Sequence, residues 1–277
     1  MRLAFRTGYI GDHFLGSQMQ EDDRTVEGEF VSACVRSKIF SNHREARFLA
    51  AGRTDRGVHA RGQVFALSTE VPERAIAVLN WQLPKDIWVT GFSVVDDAFN
   101  PRFRAIQRTY RYYFGQRDLD CESMAEASSL FCGCHDFSSF ARVENKDPSR
   151  NVLEARVFPD GDLICFEVSA ESFLWHMVRY MAAALLLIGI GEWTLEDIQE
   201  RLNEGRIRPL SPAPPRHLVL WDVDCGLAFS PLPAGRSADL VRDHRDDHAV
   251  MARICELLGE DLQGTFLRKR PAPLTNS

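Results

Sequence analysis

Residues 51–60, Ala-Gly-Arg-Thr-Asp-Arg-Gly-Val-His-Ala, lie between two short apolar runs, 48–51 and 64–67. Runs of that length bounded by glycine and charge read as strands, so this stretch predicts a strand, a loop and a strand. Glycine permits turns that other residues resist, and the loop can hold Asp55 away from the sheet, toward a partner. Arg53 and Arg56 favour its ionised form. A carboxylate among guanidiniums suits a nucleophile or an electrostatic anchor and is a poor general acid at neutral pH. The plain alternative is a turn aspartate that caps its own backbone.

Chain length and charge bound the rest. The 277 residues fit one large domain or two smaller ones with real cores. The first residues, Met1-Arg2-Leu3-Ala4-Phe5-Arg6, are too charged for a signal peptide. The most apolar run, 181–190, falls short of the roughly 20 residues that a membrane span needs. A cytosolic protein with no membrane partner is expected. Seven scattered cysteines contain no Cys-x-x-Cys pair, which predicts neither a disulfide framework nor a zinc site. Cys132-Gly133-Cys134-His135 is a poor chelate, and His244, Asp246, Asp247 and His248 read as a solvated helix face. The net charge of −6 does not suggest nucleic acid, but its distribution does more than its sum. Lysines are few (Lys38, Lys85, Lys146 and Lys269), so nearly all positive charge is arginine, whose planar fork grips phosphate and stacks on bases. The acids gather in 239–261.

Along the chain, residues 3–9 alternate as a strand, and a glycine-broken loop follows over 10–20. Thr25 is the expected N-cap of a helix with Val26, Phe30 and Cys34 on its apolar face, ending at Ser41-Asn42. Pro72 opens a second helix that stops at Pro84, and 87–95 is a strand. The order strand, helix, strand, strand, helix, strand resembles a ferredoxin-like unit. In the second half, 106–114 is a strand with Arg108, Tyr110 and Tyr112 on one face. A helix over 120–131, a hairpin turning at 159–162, and a helix over 173–187 follow. Thr194-Leu195-Glu196-Asp197 resembles a capping box and starts a helix toward Gly205; 218–224 is a closing strand. The predicted fold class is α+β with two similar halves. The predicted domains are 1–104, 105–225 and an extension, 226–277. The link between the halves falls near 99–104. In the extension, Pro231, Pro233 and Gly235 suggest a linker, 245–258 an amphipathic helix stopped by Gly259, and the end a frayed tail.

Two further segments carry chemistry. Residues 99–113 hold Arg102, Arg104, Arg108 and Arg111 with Tyr110, Tyr112 and Tyr113 and no acid, a reasonable surface for RNA. An ordinary strand with core tyrosines is the alternative. In Ser172-Phe173-Leu174-Trp175-His176-Met177-Val178-Arg179, an arginine enters an almost wholly apolar helix, where it either finds a partner or reaches to the surface.

Gly-Arg-Thr-Asp-x-Gly-Val-His-Ala around Asp55 closely resembles the signature of the tRNA pseudouridine synthase A (TruA) family. So do Arg108-x-Tyr110-Arg-Tyr, the Phe-Leu-x-x-Met-Val-Arg run ending at Arg179, and weaker echoes at 25–28, 79–84, 135–140 and 213–215. The resemblance covers 1–225. It implies the pseudouridine synthase fold, with two halves flanking an RNA-binding cleft. It implies Asp55 as nucleophile, Tyr110 covering the base and assisting proton removal, and Arg179 paired with Asp55. It further implies Arg53 taking the space left by a flipped base, with Arg56, His59 and Arg108 also toward substrate. His176 reads as a packed or RNA-facing residue. The implied partner is tRNA, at uridines of the anticodon stem-loop, bound by a homodimer; no cofactor and no metal is implied. One departure stands out: Ser17 occupies a place where the family usually has tryptophan. Other readings of the same residues are a non-catalytic tRNA-binding module, a nucleosidase-like hydrolase, and the same chemistry at another RNA position.

Overall fold

In the computed structural model the described residues are 1–115, 118–143, 147–205, 210–233 and 237–263. They form two units, Met1–Gly235 and Arg236–Ser277.

The first unit begins with β1 (Arg2–Tyr9), α1 (Val26–Arg36), β2 (Leu49–Ala50), β3 (His59–Ser68), α2 (Pro72–Gln82) and β4 (Ile87–Val95), which is the expected order. Thr25 caps α1 by accepting from the Gly28 N–H (3.2 Å). The helix ends at Arg36, before Ser41-Asn42. The Ser37 hydroxyl donates back to the Ala33 carbonyl (2.8 Å), and Lys38 takes a left-handed conformation that turns the chain away. β1 is a central strand between β3 and β4. Its polar residues Arg2 and Thr7 are therefore buried along with its apolar ones, and alternation does not divide core from solvent. Arg2 survives there because its guanidinium donates to the Phe99 and Arg47 carbonyls and the Ser68 hydroxyl. Phe30 of α1 fills the space over the sheet, meeting Phe5, Phe48 and Phe65 at 4.9–6.3 Å between ring centres.

The chain then makes a single turn of helix, α3 (Pro101–Arg104), at the predicted link, and enters β5 (Gln107–Phe114). Next come α4 (Cys121–Ser129), β6 (Gly133–Asp136), β7 (Ser149–Asp160), β8 (Leu163–Ala170), α5 (Met177–Gly189), α6 (Leu195–Asn203), β9 (Leu218–Asp224) and the two-residue β10 (Ser230–Pro231). The hairpin and the capping box at Thr194 stand where the sequence places them. α5 starts four residues later than its apolar pattern suggests. The Arg142 N–H bonds the Trp175 carbonyl (2.9 Å) and His176 is left-handed (φ 62°), so 173–176 stay outside the helix.

The strands form one mixed sheet in the order β10-β4-β1-β3-β9-β5-β8-β7-β6, with β2 on the side of β3. All neighbours are antiparallel except β3 and β9, which pair in parallel only at His59–Val219 and Ala60–Leu220. Gly62 permits this approach, since a Cβ there would stand 2.8 Å from the Trp221 carbonyl and the Asp222 carboxylate. This short seam joins the strands of the two halves of the chain. The loop before β3 and the segment before β9 meet at it.

The second unit holds α7, Ser237–Gln263. It begins before the predicted Arg245 and passes through Gly259. Asp239 favours its first turn, and a helical glycine costs only about 1 kcal/mol against alanine, which does not stop a helix by itself. Gly235 and the tail after 263 lie outside the described residues. Among the described residues no helix is long and apolar enough to cross a membrane.

Candidate active site

The loop that carries Asp55 is fastened from below. The Thr54 N–H donates to the Ser17 hydroxyl (2.8 Å), the Thr54 carbonyl accepts from the Ser17 N–H (3.0 Å), and the Thr54 hydroxyl pairs with that of Tyr9 (2.8 Å). Ser17 and Tyr9 are fully buried. Gln63 donates to the Gly52 carbonyl (2.9 Å), and the Val58 N–H closes the turn on the Asp55 carbonyl (3.1 Å). Gly11 lies so close beneath that a Cβ would fall 2.1 Å from the Val58 carbonyl oxygen. The serine that departs from the family pattern is thus a two-way lock on the loop backbone.

The other half of the chain supplies the donors. Asp55 Oδ2 lies 3.3 Å from Arg179 Nη1 and 3.3 Å from His176 Nε2, and Oδ1 accepts from the Trp175 indole N–H (3.2 Å). Arg179 is anchored in turn: its Nε donates to the Ala213 carbonyl (2.7 Å), and the Ala213 N–H returns a bond to the Arg179 carbonyl (3.0 Å). Arg142 lies over the Trp175 ring at 4.4 Å. Burial, with Arg179 and Arg142 nearby, pushes the His176 imidazole below its ordinary range, although Asp55 opposes this. Arg53 and Arg56, expected to favour the ionised carboxylate, are exposed, and the arginine in contact with it is Arg179.

Tyr110 is buried beside this carboxylate with its ring edge-on to Phe173 at 5.1 Å. Burial pushes its phenol up to about 12; Arg108 opposes the shift and the Asp55 charge adds to it. The side chain is therefore a neutral hydroxyl at neutral pH. Arg108 turns inward, donating to the carbonyls of Glu171, Ala51 (2.8 Å) and Arg102 (2.9 Å). Among the described residues no group of three His, Cys, Asp or Glu side chains gathers as a metal site would.

The sequence has relatives. A family model described as tRNA pseudouridine synthase matches residues 127–224. The tRNA pseudouridine synthase A of Methanoculleus marisnigri is 51% identical over 263 residues, covering 94% of this chain and 97% of that protein. The one of Methanosphaerula palustris is 52% identical over 269 residues, covering 95% and 96%. The chain belongs to the tRNA pseudouridine synthase A family. The relative from Pyrococcus abyssi, 42% identical over 228 residues, matches 80% of this chain.

Two predicted substrate residues turn inward. Arg108 is one; His59 is the other. The His59 Nδ1 accepts from the Gly11 N–H (3.1 Å) and its Nε2 faces the Arg216 carbonyl (3.0 Å). These two bonds tie the loop to the segment before β9. Trp175 and His176 were missed as partners of Asp55 because they occupy the two unspecified positions of their motif. A signal existed: His176 and Arg179 stand three residues apart, the spacing of one helix face. Ser17→Ala leaves the buried Thr54 N–H without an acceptor, and we expect a loss of about 1–3 kcal/mol in denaturant-measured stability. The pH dependence has a definite sign. Because folding lowers the His176 pKa, the unfolded chain takes up this proton first as pH falls below about 6.5. Stability should therefore decline from pH 7 to pH 5, and His176→Gln should make the decline shallower in parallel melts.

Proposed function

We propose that this chain converts uridine in tRNA to pseudouridine, with Asp55 as the nucleophile. The observation that carries the reading is the Asp55 carboxylate, held by Arg179, His176 and Trp175 beside the buried ring of Tyr110. A carboxylate held by three donors and aimed from a fixed loop is suited to attack.

The reaction breaks the bond between ribose C1′ and N1, turns the base, and forms a bond from C1′ to C5. The C5 proton is lost and N1 gains one, so atoms and electrons balance without a co-reactant. The target atoms are shielded in a stacked helix, and the uridine is flipped out to reach Asp55. Attack at C1′ and attack at the base are both compatible with the arrangement. Tyr110 covers the flipped base through its ring, and its neutral hydroxyl serves as a hydrogen-bonding partner. Arg53, exposed on the same loop, fills the space the base leaves. Arg108 and His59 act on substrate indirectly, by holding the loop and its neighbours. In this reading the targets are uridines of the anticodon stem-loop, and two copies of the chain gather one tRNA.

The test is pseudouridine mapping on unmodified tRNA after incubation with wild type and with Asp55→Ala. Wild type should modify anticodon-arm uridines and Asp55→Ala none, while Arg179→Met should lose far more rate than tRNA affinity. Pseudouridine formed by Asp55→Ala would overturn the assignment.

A further inference from the structure

The acid-free stretch 99–113 reads as an RNA surface in sequence, yet most of it is occupied internally. Arg108 is spent on three backbone carbonyls. Arg111 donates to Glu167 (2.5 Å) and lies over Trp221 at 3.7 Å. Tyr110 and Tyr112 are buried. This leaves the turn α3, where Arg102 and Arg104 are exposed and, among the described residues, have no carboxylate partner. Between them Phe103 is 80% exposed.

A lone apolar side chain on a surface is ordinary. Phe103 differs in its mounting and its neighbours. The Asn100 side chain accepts from the Arg102 N–H (3.0 Å), and its carbonyl accepts from the N–H groups of Phe103 (3.2 Å) and Arg104 (2.9 Å). Pro101 sets the first helical position, and its carbonyl accepts from the Ala105 N–H (3.2 Å). The ring is thus presented to solvent on a fixed backbone, between two cations. The turn also stands at the rim of the Asp55 site. One nitrogen of Arg108 bonds both the Arg102 carbonyl and that of Ala51, where the chain leaves β2 for the Asp55 loop.

We propose that Arg102-Phe103-Arg104 is an RNA-docking surface: Phe103 stacks on a base of the strand flanking the target uridine, and the two guanidiniums take its phosphates. An aromatic face flanked by arginines fits single-stranded or unstacked nucleotides, which offer a base to stack on the ring and phosphates to pair with both cations. The inference rests on the tRNA reading above and places the strand contact on α3 and not along β5.

The test is fluorescence anisotropy of an unmodified tRNA anticodon stem-loop with the full chain, over a range of salt. Phe103→Ala should weaken binding about tenfold, the scale of one stacked base, with an unchanged salt slope. Phe103→Trp should bind at least as well as wild type. Arg102→Ala with Arg104→Ala should weaken binding and make the salt slope shallower by about 1–2. Affinities within twofold of wild type for all three variants overturn the proposal. So does a Phe103→Ala chain that changes oligomeric state in sedimentation without weakening RNA binding, which would mark a contact between copies. Pseudouridine formed by wild type on the same RNA is scored separately. RNA bound through Phe103 without pseudouridine supports the surface and removes the reaction reading; pseudouridine formed with no role for Phe103 does the reverse.

Discussion

A carboxylate that is only partly open to water must find donors, and Asp55 finds them 120 to 124 residues further along the chain. This pairing makes the sheet and the site one problem. Asp55 comes from the loop before β3, and Arg179 from the first turn of α5, braced against Ala213 just before β9. The parallel contact of β3 with β9 is what brings these segments together. The locks below the loop, from Ser17 and Tyr9 onto Thr54, fix where the carboxylate stands. The clamp of His59 onto Gly11 and the 216 carbonyl fixes the seam beside it. Little in the site is free to move without disturbing a backbone hydrogen bond.

Charge is divided with the same economy. Arg2, Arg108 and Arg179 point inward and satisfy backbone carbonyls or Asp55. Tyr110 keeps its proton and His176 is biased toward its neutral form. Beside the carboxylate, Arg179 is the cation that touches it, which concentrates the field where the proposed chemistry needs an anion. Arg53, Arg56, Arg102 and Arg104 stay outside. A chain with net negative charge can offer phosphate a local surface this way, because arginines are sorted by position and their total matters less.

Local chemistry made parts of this legible in sequence. Thr25 and Thr194 with Asp197 satisfy backbone groups within a few residues, Pro72 brings a preset φ and no N–H to satisfy, and Gly161 permits a left-handed turn, so the elements they bound were readable. The pairing of Arg179 with Asp55 was implied by the family motifs; an arginine in an apolar helix by itself called for a partner or a path to the surface and did not name one. What resisted reading was tertiary. The late start of α5 depends on the bond from Arg142 to Trp175, and the burial of β1 on both faces depends on its neighbours. The roles of Arg108 and His59 depend on carbonyls that no local pattern reveals. Ser17 was legible only as a departure from the family pattern; its value lies in a hydrogen bond to Thr54, 37 residues away.

The claim on which the rest stands is that Asp55 and Arg179 behave as one unit across the seam. A double-mutant cycle on unfolding free energy, with Asp55→Asn, Arg179→Met and both together, addresses it most directly. A coupling of about 1–3 kcal/mol is expected, as for residues in direct contact. Losses that simply add would contradict it and would detach the site from the fold.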